Sequence, residues 1–550
     1  KMGMSIVNLF QSLGLAALLI RSIQGFSTTK VRSSQQSHSL VVFMTSNQPT
    51  TVAPSWSELK VQSEATKVGQ AIASEVKLRS TGQGSAHVQN TLRTFRDKES
   101  TPAITLYRDH AGWCPYCQKT MLLIEEKEIP MKIELVPMRS YGDKPASFLR
   151  KVPNGLLPAI EVNGKVITES QVIMELLDQW HPEEEGYKSM MPKSDDRSGM
   201  ATYESLARLE RELFSWWCSL TFRPESSSTG SGGLLSNPFR MGTSSEAPMS
   251  SAMKGFLDCM KKVDKALLST RGPWFFDTYD HPTMIDFIYV SHIERMLASV
   301  AFWKGLNLRD PKWELHGLTA WLEAFEKREA YLAFKSDYFT HVMDIPPQYG
   351  PGYDGGFATD REKFQSSILG RDGSWRLPLP FDDPLQPLYK GPPLPLCVLQ
   401  SMDIFPNSDG TYESADPLLM SIACRHVAAW KLADNGVNIA RFASRGGPKG
   451  SRNPRKSFGA PLADPYAEPD IDVLPSVDLA LRTLCGAMLA DNDQDTAESL
   501  LSGIPKNHCE GVCSSLAYLR DRVGVPRDLP LAAARYLRAY LNKGIDILSS

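Results

Sequence analysis

Residues 104–128, ITLYRDHAGWCPYCQKTMLLIEEKE, join an apolar run to an amphipathic run through Cys114 and Cys117. Ile104, Leu106 and Tyr107 read as a short buried strand, Arg108 to Gly112 as a turn, and Pro115 stands where a proline starts a helix. Cys114 then caps that helix. A sulfur at this place faces unpaired backbone N–H groups and the positive end of the helix dipole, which favours thiolate and makes it a nucleophile near neutral pH. Cys117 lies one turn later and is more enclosed. The spacing lets it attack a mixed disulfide on Cys114, after which the pair can close into an easily reduced disulfide. A structural pair or half a zinc site is the other reading. Zinc would need a second ligand pair, and none follows at finger-like spacing.

Trp113-Cys114-Pro115-Tyr116-Cys117, followed by Gln118-Lys119 and Leu122 to Lys127, resembles glutaredoxins and the cysteine-type glutathione transferases, omega-like or dehydroascorbate reductase-like. The resemblance covers residues 102–345. It implies an α/β thioredoxin-like N-terminal domain followed by an all-α glutathione-transferase-like domain. The glutathione site of those families includes a loop with a cis-proline and a Glu/Asp-Ser pair. Here Val152 to Ile160 ends in an apolar strand, with Leu157-Pro158 where the cis peptide lies. An X-Pro bond is the one cheap cis bond available. The resemblance implies that the backbone of Leu157 meets the cysteinyl part of glutathione, and that Glu169-Ser170 holds the γ-glutamyl end. A helix beginning near Ser170 offers N–H donors and a positive dipole to a carboxylate, and Glu169 can pair with the ammonium. The implied catalytic residues are Cys114 and Cys117. The implied glutathione-binding residues are Trp113, Pro115, Tyr116, Leu157, Pro158, Glu169 and Ser170. Glutathione is expected as co-substrate and no metal is expected.

In chain order, Lys1-Met2-Gly3-Met4 leaves Met2 or Met4 as initiator, and the apolar run Ile6 to Ile20 reads as part of a signal peptide over 1–25. Residues 26–55, rich in Ser, Thr and Gln with Lys30 and Arg32, are transit-like. This two-part presequence is similar to that of algae whose plastids have extra membranes, so a plastid is expected, with plain secretion as the alternative. Nine cysteines with an intact CxxC and no regular disulfide framework argue against an oxidising destination. No later apolar run reaches the length of a spanning helix, so no membrane is expected for the mature chain. Hydrophobic residues at 42% and charged residues at 22% of 550 allow two or three domains. Residues 1–50 hold four basic residues and no acid, leaving 56 basic against 62 acidic residues beyond, which does not suggest nucleic acid.

Residues 56–100 form a polar extension in which Trp56, Leu59, Val61, Ala65 and Val68 line one helix face. The thioredoxin-like glutathione-binding domain spans 101–183 and the all-helical domain 195–345. Thr283 and Asp286 make a capping box there, with Arg295 further along the same helix. The Ser/Gly-rich stretch from Ser226 to Ser251 is a lid or padding. Residues 346–395, dense in Pro and Gly, read as an ordered strap. Residues 396–550 form a further mainly helical region of no family, which leaves a protein partner open. Arg441, Arg445, Lys449, Arg452, Arg455 and Lys456 there make a basic loop without acids, either solvated or contacting phosphate or a partner. His508, Cys509 and Cys513 are core residues or an incomplete metal set. Cys218, Cys259, Cys397, Cys424 and Cys485 read as small hydrophobes.

Three functions remain on this reading. The first is a glutathione-dependent thiol–disulfide oxidoreductase with Cys114 as nucleophile, a dehydroascorbate reductase included, acting on a disulfide or small oxidised substrate. The second is glutathione conjugation to electrophiles, which a cysteine disfavours because it tends to form a mixed disulfide. The third is a non-catalytic scaffold with a partner-binding C-terminal region.

Overall fold

The computed structural model describes residues 53–95, 101–138, 141–224, 249–380, 383, 385–450, 467–490 and 494–550. The expected presequence up to residue 52, the Ser/Gly-rich stretch up to 248, and Arg452, Arg455 and Lys456 lie outside the described residues.

The polar extension opens with helix α1 (Trp56–Ala65), where Ser55 Oγ accepts from Glu58 N and the Glu58 carboxylate accepts from Ser55 N. Thr66, in extended backbone, stops this helix and caps α2 (Lys67–Ser80) by accepting from Gly69 N. The expected single face is thus split over two helices. Leu59 and Val68 are fully buried, whereas Val61 is 67% exposed.

The sheet follows. It contains β1 (Leu92–Arg93), β2 (Ile104–Asp109), β3 (Met131–Val136), β4 (Ala159–Val162) and β5 (Lys165–Ile167), in the order β1-β3-β2-β4-β5. Only β2 and β3 run parallel, joined through α3 (Pro115–Lys127). The extension therefore also contributes a strand, since β1 pairs with β3. Asn163 and Gly164 both take positive φ, as a tight hairpin between β4 and β5 requires. Helices α4 (Ala146–Lys151) and α5 (Ser170–Trp180) complete the thioredoxin-like layer.

Helices α6 (Arg197–Thr221), α7 (Ser251–Leu268), α8 (Met284–Lys304), α9 (His316–Glu326), α10 (Glu329–Leu332) and α11 (Tyr338–Tyr349) form the all-helical part. α8 is buried nearly all round. Its expected capping box is present, and Asp286 also accepts from Phe275 N and Trp321 Nε1. These bonds satisfy the buried carboxylate and the amide of the N-cap residue Thr283 together.

The strap includes α12 (Ala358–Ile368) and is anchored at both ends: Trp375 and Leu385 join the core of the transferase-like part, while Leu379 and Leu394 join a second core. That second core is built by α13 (Leu396–Ser401), α14 (Pro417–Ala443), α15 (Leu474–Leu489), α16 (Gln494–Ser502), α17 (Lys506–Arg520) and α18 (Leu531–Ser549), together with Leu59, Val68 and Ile72 from α1 and α2. α14 kinks at Asn435. The indole of Trp56 lies on Gly436, where a Cβ would stand 2.2 Å from a ring atom, and its Nε1 donates to Asp478 at 2.7 Å. Residues 56–80 are therefore the first layer of the C-terminal region. The two cores are tied by Arg538, which is buried, pairs with Asp337 at 2.6 Å and lies 4.8 Å from the centroids of both Phe339 and Trp375.

The other singled-out groups take structural places. His508 Nδ1 bonds Ser476 Oγ, while the sulfurs of Cys509 and Cys513 face the carbonyls of Pro505 and Ile545, so the three do not converge. All three are half-buried and are not the core residues expected. Lys449 of the basic loop pairs with Asp472, an acid from just beyond it. Burial pushes the thiols of Cys218 and Cys397 up to about 11 and those of Cys259, Cys424 and Cys485 up to about 12, consistent with small hydrophobes.

The α1 packing carries a direct test. Leu59→Ala should lower unfolding free energy by about 2–5 kcal/mol, and Val61→Ala by no more than about 0.5 kcal/mol, in urea titrations of the full chain. Equal effects would place α1 outside the core.

Candidate active site

β2 ends in a buried acid, Asp109, whose Oδ2 accepts from the backbone N–H of Trp113 at 2.7 Å and of Cys114 at 3.2 Å. The turn between them needs Gly112, at φ +71°, where a Cβ would collide with Val88. This carboxylate folds the loop back so that Cys114 is the N-cap of α3 and Pro115 its first residue. Cys114 makes no side-chain cap bond, and the two amides that lead into it are already bound by Asp109. Its Sγ lies 3.9 Å from the carbonyl oxygen of Leu157, and Leu157-Pro158 is a cis peptide.

Cys114 is 7% exposed and Cys117 is 1% exposed. Burial, then a hydrogen bond with Cys114 and the charge of Asp109, push the Cys117 thiol well above its ordinary range. Cys117 is thus held as a protonated thiol beside Cys114. Ligand atoms of Asp109, Cys114 and Cys117 all lie within 4.8 Å of one another, the one such group among the described residues.

The remaining expected residues surround this centre unevenly. Trp113 and Pro115 are buried beneath the loop, Tyr116, Leu157 and Ser170 are partly exposed, and Glu169 is exposed at φ +70° just ahead of α5. No side chain caps the opening amides of α5. The Tyr116 ring stands edge-on to His292 at 5.6 Å. Beyond it Phe214, Phe222 and Tyr349 form an aromatic wall supplied by α6, its C-cap and α11.

Several neighbours escaped the motif reading. Lys119 is 5% exposed, and burial pushes its ammonium down to about 8 against the charges of Glu210, Cys114 and Glu169. Burial likewise lowers Lys144, against Cys117, Cys114 and Asp109, and its Nζ donates to Pro137 O at 2.9 Å. Two lysines therefore bring positive charge toward the cysteines. A lysine one residue past CPYCQ was visible as charge on a helix, but its burial depends on α6. Asp109 had a signal too, an acid closing an apolar strand five residues before a cysteine.

α3 is held from behind. Fully buried Arg295 of α8 donates to Gln118 Oε1 at 2.6 Å and to the carbonyl of Trp113. Gln118 Nε2 donates to Glu294 at 2.9 Å, and Glu294 also receives Ser336 N and His341 Nε2, each at 2.9 Å. Burial opposes the Glu294 charge, but His341, Arg295 and Gln118 prevail and hold its carboxyl well below the ordinary range.

Fold and site together define a thioredoxin-fold protein with a cysteine pair at a helix start and an attached helical domain. Residues 113–180 match the family described as glutathione S-transferase, N-terminal domain. The chain is 39% identical over 75 residues to glutathione S-transferase DHAR2 of Arabidopsis thaliana, covering 14% of this chain and 34% of that protein. It is 36% identical over 72 residues both to glutathione S-transferase DHAR3, chloroplastic, of Arabidopsis thaliana and to glutathione S-transferase omega-1 of Rattus norvegicus. Those matches cover 13% of this chain and 27% and 29% of the relatives, so the chain spans about a third or less of the length of each.

The acid behind α3 makes a pH prediction. A carboxyl depressed in the fold contributes stability above its unfolded value, and that contribution is lost as pH falls through the native value. Glu294→Gln should cost about 3–5 kcal/mol at pH 7, measured by urea unfolding, with the gap to wild type narrowing below the ordinary value of 4.5. A gap equal at pH 7 and pH 3 would contradict the assignment.

Proposed function

We propose that the protein is a glutathione-dependent thiol–disulfide oxidoreductase in which Cys114 is the nucleophile and Cys117 the resolving thiol. The observation that carries this reading is the place of Cys114: at the start of α3, beside the protonated Cys117, with its Sγ against the carbonyl that precedes Pro158. Cys114 thiolate attacks the glutathione sulfur of a mixed disulfide, forming Cys114–S–SG and releasing the substrate as its thiolate, which takes up a proton. A second glutathione thiolate then attacks Cys114–S–SG, giving glutathione disulfide and restoring Cys114. Alternatively Cys117 loses its proton and displaces glutathione, and the resulting disulfide is reduced by two further glutathiones. The net electrons come from glutathione in either case.

Leu157 offers backbone to the cysteinyl part of glutathione, and Glu169 with the uncapped start of α5 suits its γ-glutamyl ammonium and carboxylate. Lys119 and Lys144 supply positive charge near the developing thiolate. Dehydroascorbate fits the small oxidised substrate class, taking two electrons from two glutathiones to give ascorbate and glutathione disulfide. For the location we propose a plastid, supported by the two-part character of residues 1–55 and by a relative whose name includes "chloroplastic".

Cys114→Ser should abolish turnover of a small glutathione mixed disulfide, because a serine hydroxyl supplies no comparable anion. Cys117→Ser should keep that activity and lose reduction of protein dithiol pairs. An active Cys114→Ser variant would overturn the assignment. Glu169→Ala and Ser170→Ala should each weaken glutathione by roughly tenfold to a hundredfold in calorimetry, and unchanged affinity in both would remove the γ-glutamyl site from this place.

A further inference from the structure

A second candidate site is not lined by Cys114 or Cys117. A cavity of about 500 Å³ opens between α2, residues 85–91, the end of the strap, α14 and the start of α18. That volume is typical of small-molecule sites. Its body is apolar, with Ile72, Leu332, Pro392, Trp430 and Leu531 among its walls. What distinguishes it is the state of its charges.

The acids at its rim are committed. Glu75 accepts from Ser85 N at 2.6 Å and Ser85 Oγ at 2.8 Å, Asp434 pairs with Lys60 at 3.0 Å, and Asp528 pairs with Arg527 at 2.6 Å. Glu329 accepts from Leu396 N, and burial raises its carboxyl above the ordinary range. Lys335 is paired with Glu326 at 2.6 Å. Arg79 and Lys431 remain, and among the described residues neither makes a side-chain hydrogen bond or ion pair. Burial lowers the Arg79 guanidinium despite the nearby Glu75 charge, so this cation is partly stripped of water with no protein partner in exchange. Burial, then the charges of Arg79 and Lys431, hold the His87 imidazole well below its ordinary range. Arg79, Lys431 and His87 all line the one cavity. Cys397 also lines it, but with its thiol up at about 11 it is a poor candidate for covalent capture.

We propose that this cavity binds an organic anion with an apolar body, its acidic group held by Arg79 and Lys431. An anion there supplies the counter-charge and hydrogen-bond acceptors that the two side chains lack, and the apolar walls take the rest of the ligand out of water. The site adjoins the cysteine loop along one wall: the wall residue Gln89 donates through Nε2 to His110 O at 3.1 Å, and its neighbour Val88, outside the lining, accepts from Arg108 and lies against Gly112. It is built mainly from α2, the strap and the C-terminal helices, so it stands or falls independently of the thiol chemistry.

The test uses the full chain and two fluorescent probes with the same aromatic body, the anion 8-anilinonaphthalene-1-sulfonate and the neutral N-phenyl-1-naphthylamine. Saturable binding of the sulfonate is expected, weakened about tenfold or more by Arg79→Met and by Lys431→Met, with the neutral probe changed less than about threefold. Because Arg79 has no protein partner, Arg79→Met without ligand should leave Tm unchanged or raise it. Absence of saturable sulfonate binding, sulfonate affinity unchanged in both variants, equal losses for both probes, or a fall in ligand-free Tm for Arg79→Met would each overturn the proposal.

Discussion

Everything at the cysteine site depends on Arg295. A guanidinium taken fully out of water is costly unless its donors are met. Here the two terminal nitrogens donate to the carbonyl of Trp113, the side chain of Gln118 and the carbonyl of Ser291 on α8, while Nε has no partner among the described residues. Glu294 stands 4.0 Å away and gathers Gln118, Ser336 and His341. The residue before Cys114 is thus held by Arg295 through its carbonyl and by Asp109 through its amide. The sheet supplies one grip and the helical domain the other, so the geometry of the nucleophile belongs to both. Arg93 adds a third hold on α3 from β1, pairing with buried Glu125 at 2.7 Å.

The same interlocking extends to the ends of the described chain. α1 and α2 precede the sheet in sequence yet complete the core of the last helices, with Trp56 seated on Gly436. Between the cores, Arg538 and Asp337 form a buried pair, and Asp337 also caps α11 by accepting from Thr340 N. The C-terminal region even reaches the cysteine loop: Arg527 lies 5.5 Å from the Tyr141 ring, and the Tyr141 hydroxyl bonds Asp344 at 2.5 Å. His110 stands edge-on to Tyr141 at 5.4 Å. The last third of the chain is therefore a structural neighbour of the site.

How much of this was legible in sequence varied with the range of the interaction. The strand and helix around Cys114 and the Thr283–Asp286 box follow from local rules and are present, with Arg108 and Asp109, expected in the turn, extending the strand. The cis Leu157-Pro158 bond, by contrast, was expected from the family resemblance alone. The mainly helical character of residues 396–550 was likewise expected, and α13 to α18 bear it out. Their partners were not, because nothing local to Leu59 says that it packs on helices more than three hundred residues away. Thr66 broke the expected face of residues 56–68 by capping a second helix, a role its side chain takes only once the backbone there is extended. Asp109, Lys119 and Lys144 were missed for a related reason: each is an ordinary charged residue until burial beside the cysteines changes what its charge does.

Peptide mapping by mass spectrometry, after the Cys117→Ser protein is exposed to glutathione disulfide at neutral pH, tests the central claim most directly. One glutathione per chain, on Cys114, is the predicted result, with Cys218, Cys259, Cys397, Cys424 and Cys485 unmodified. An unmodified Cys114, or an adduct that forms first on another cysteine, would contradict it.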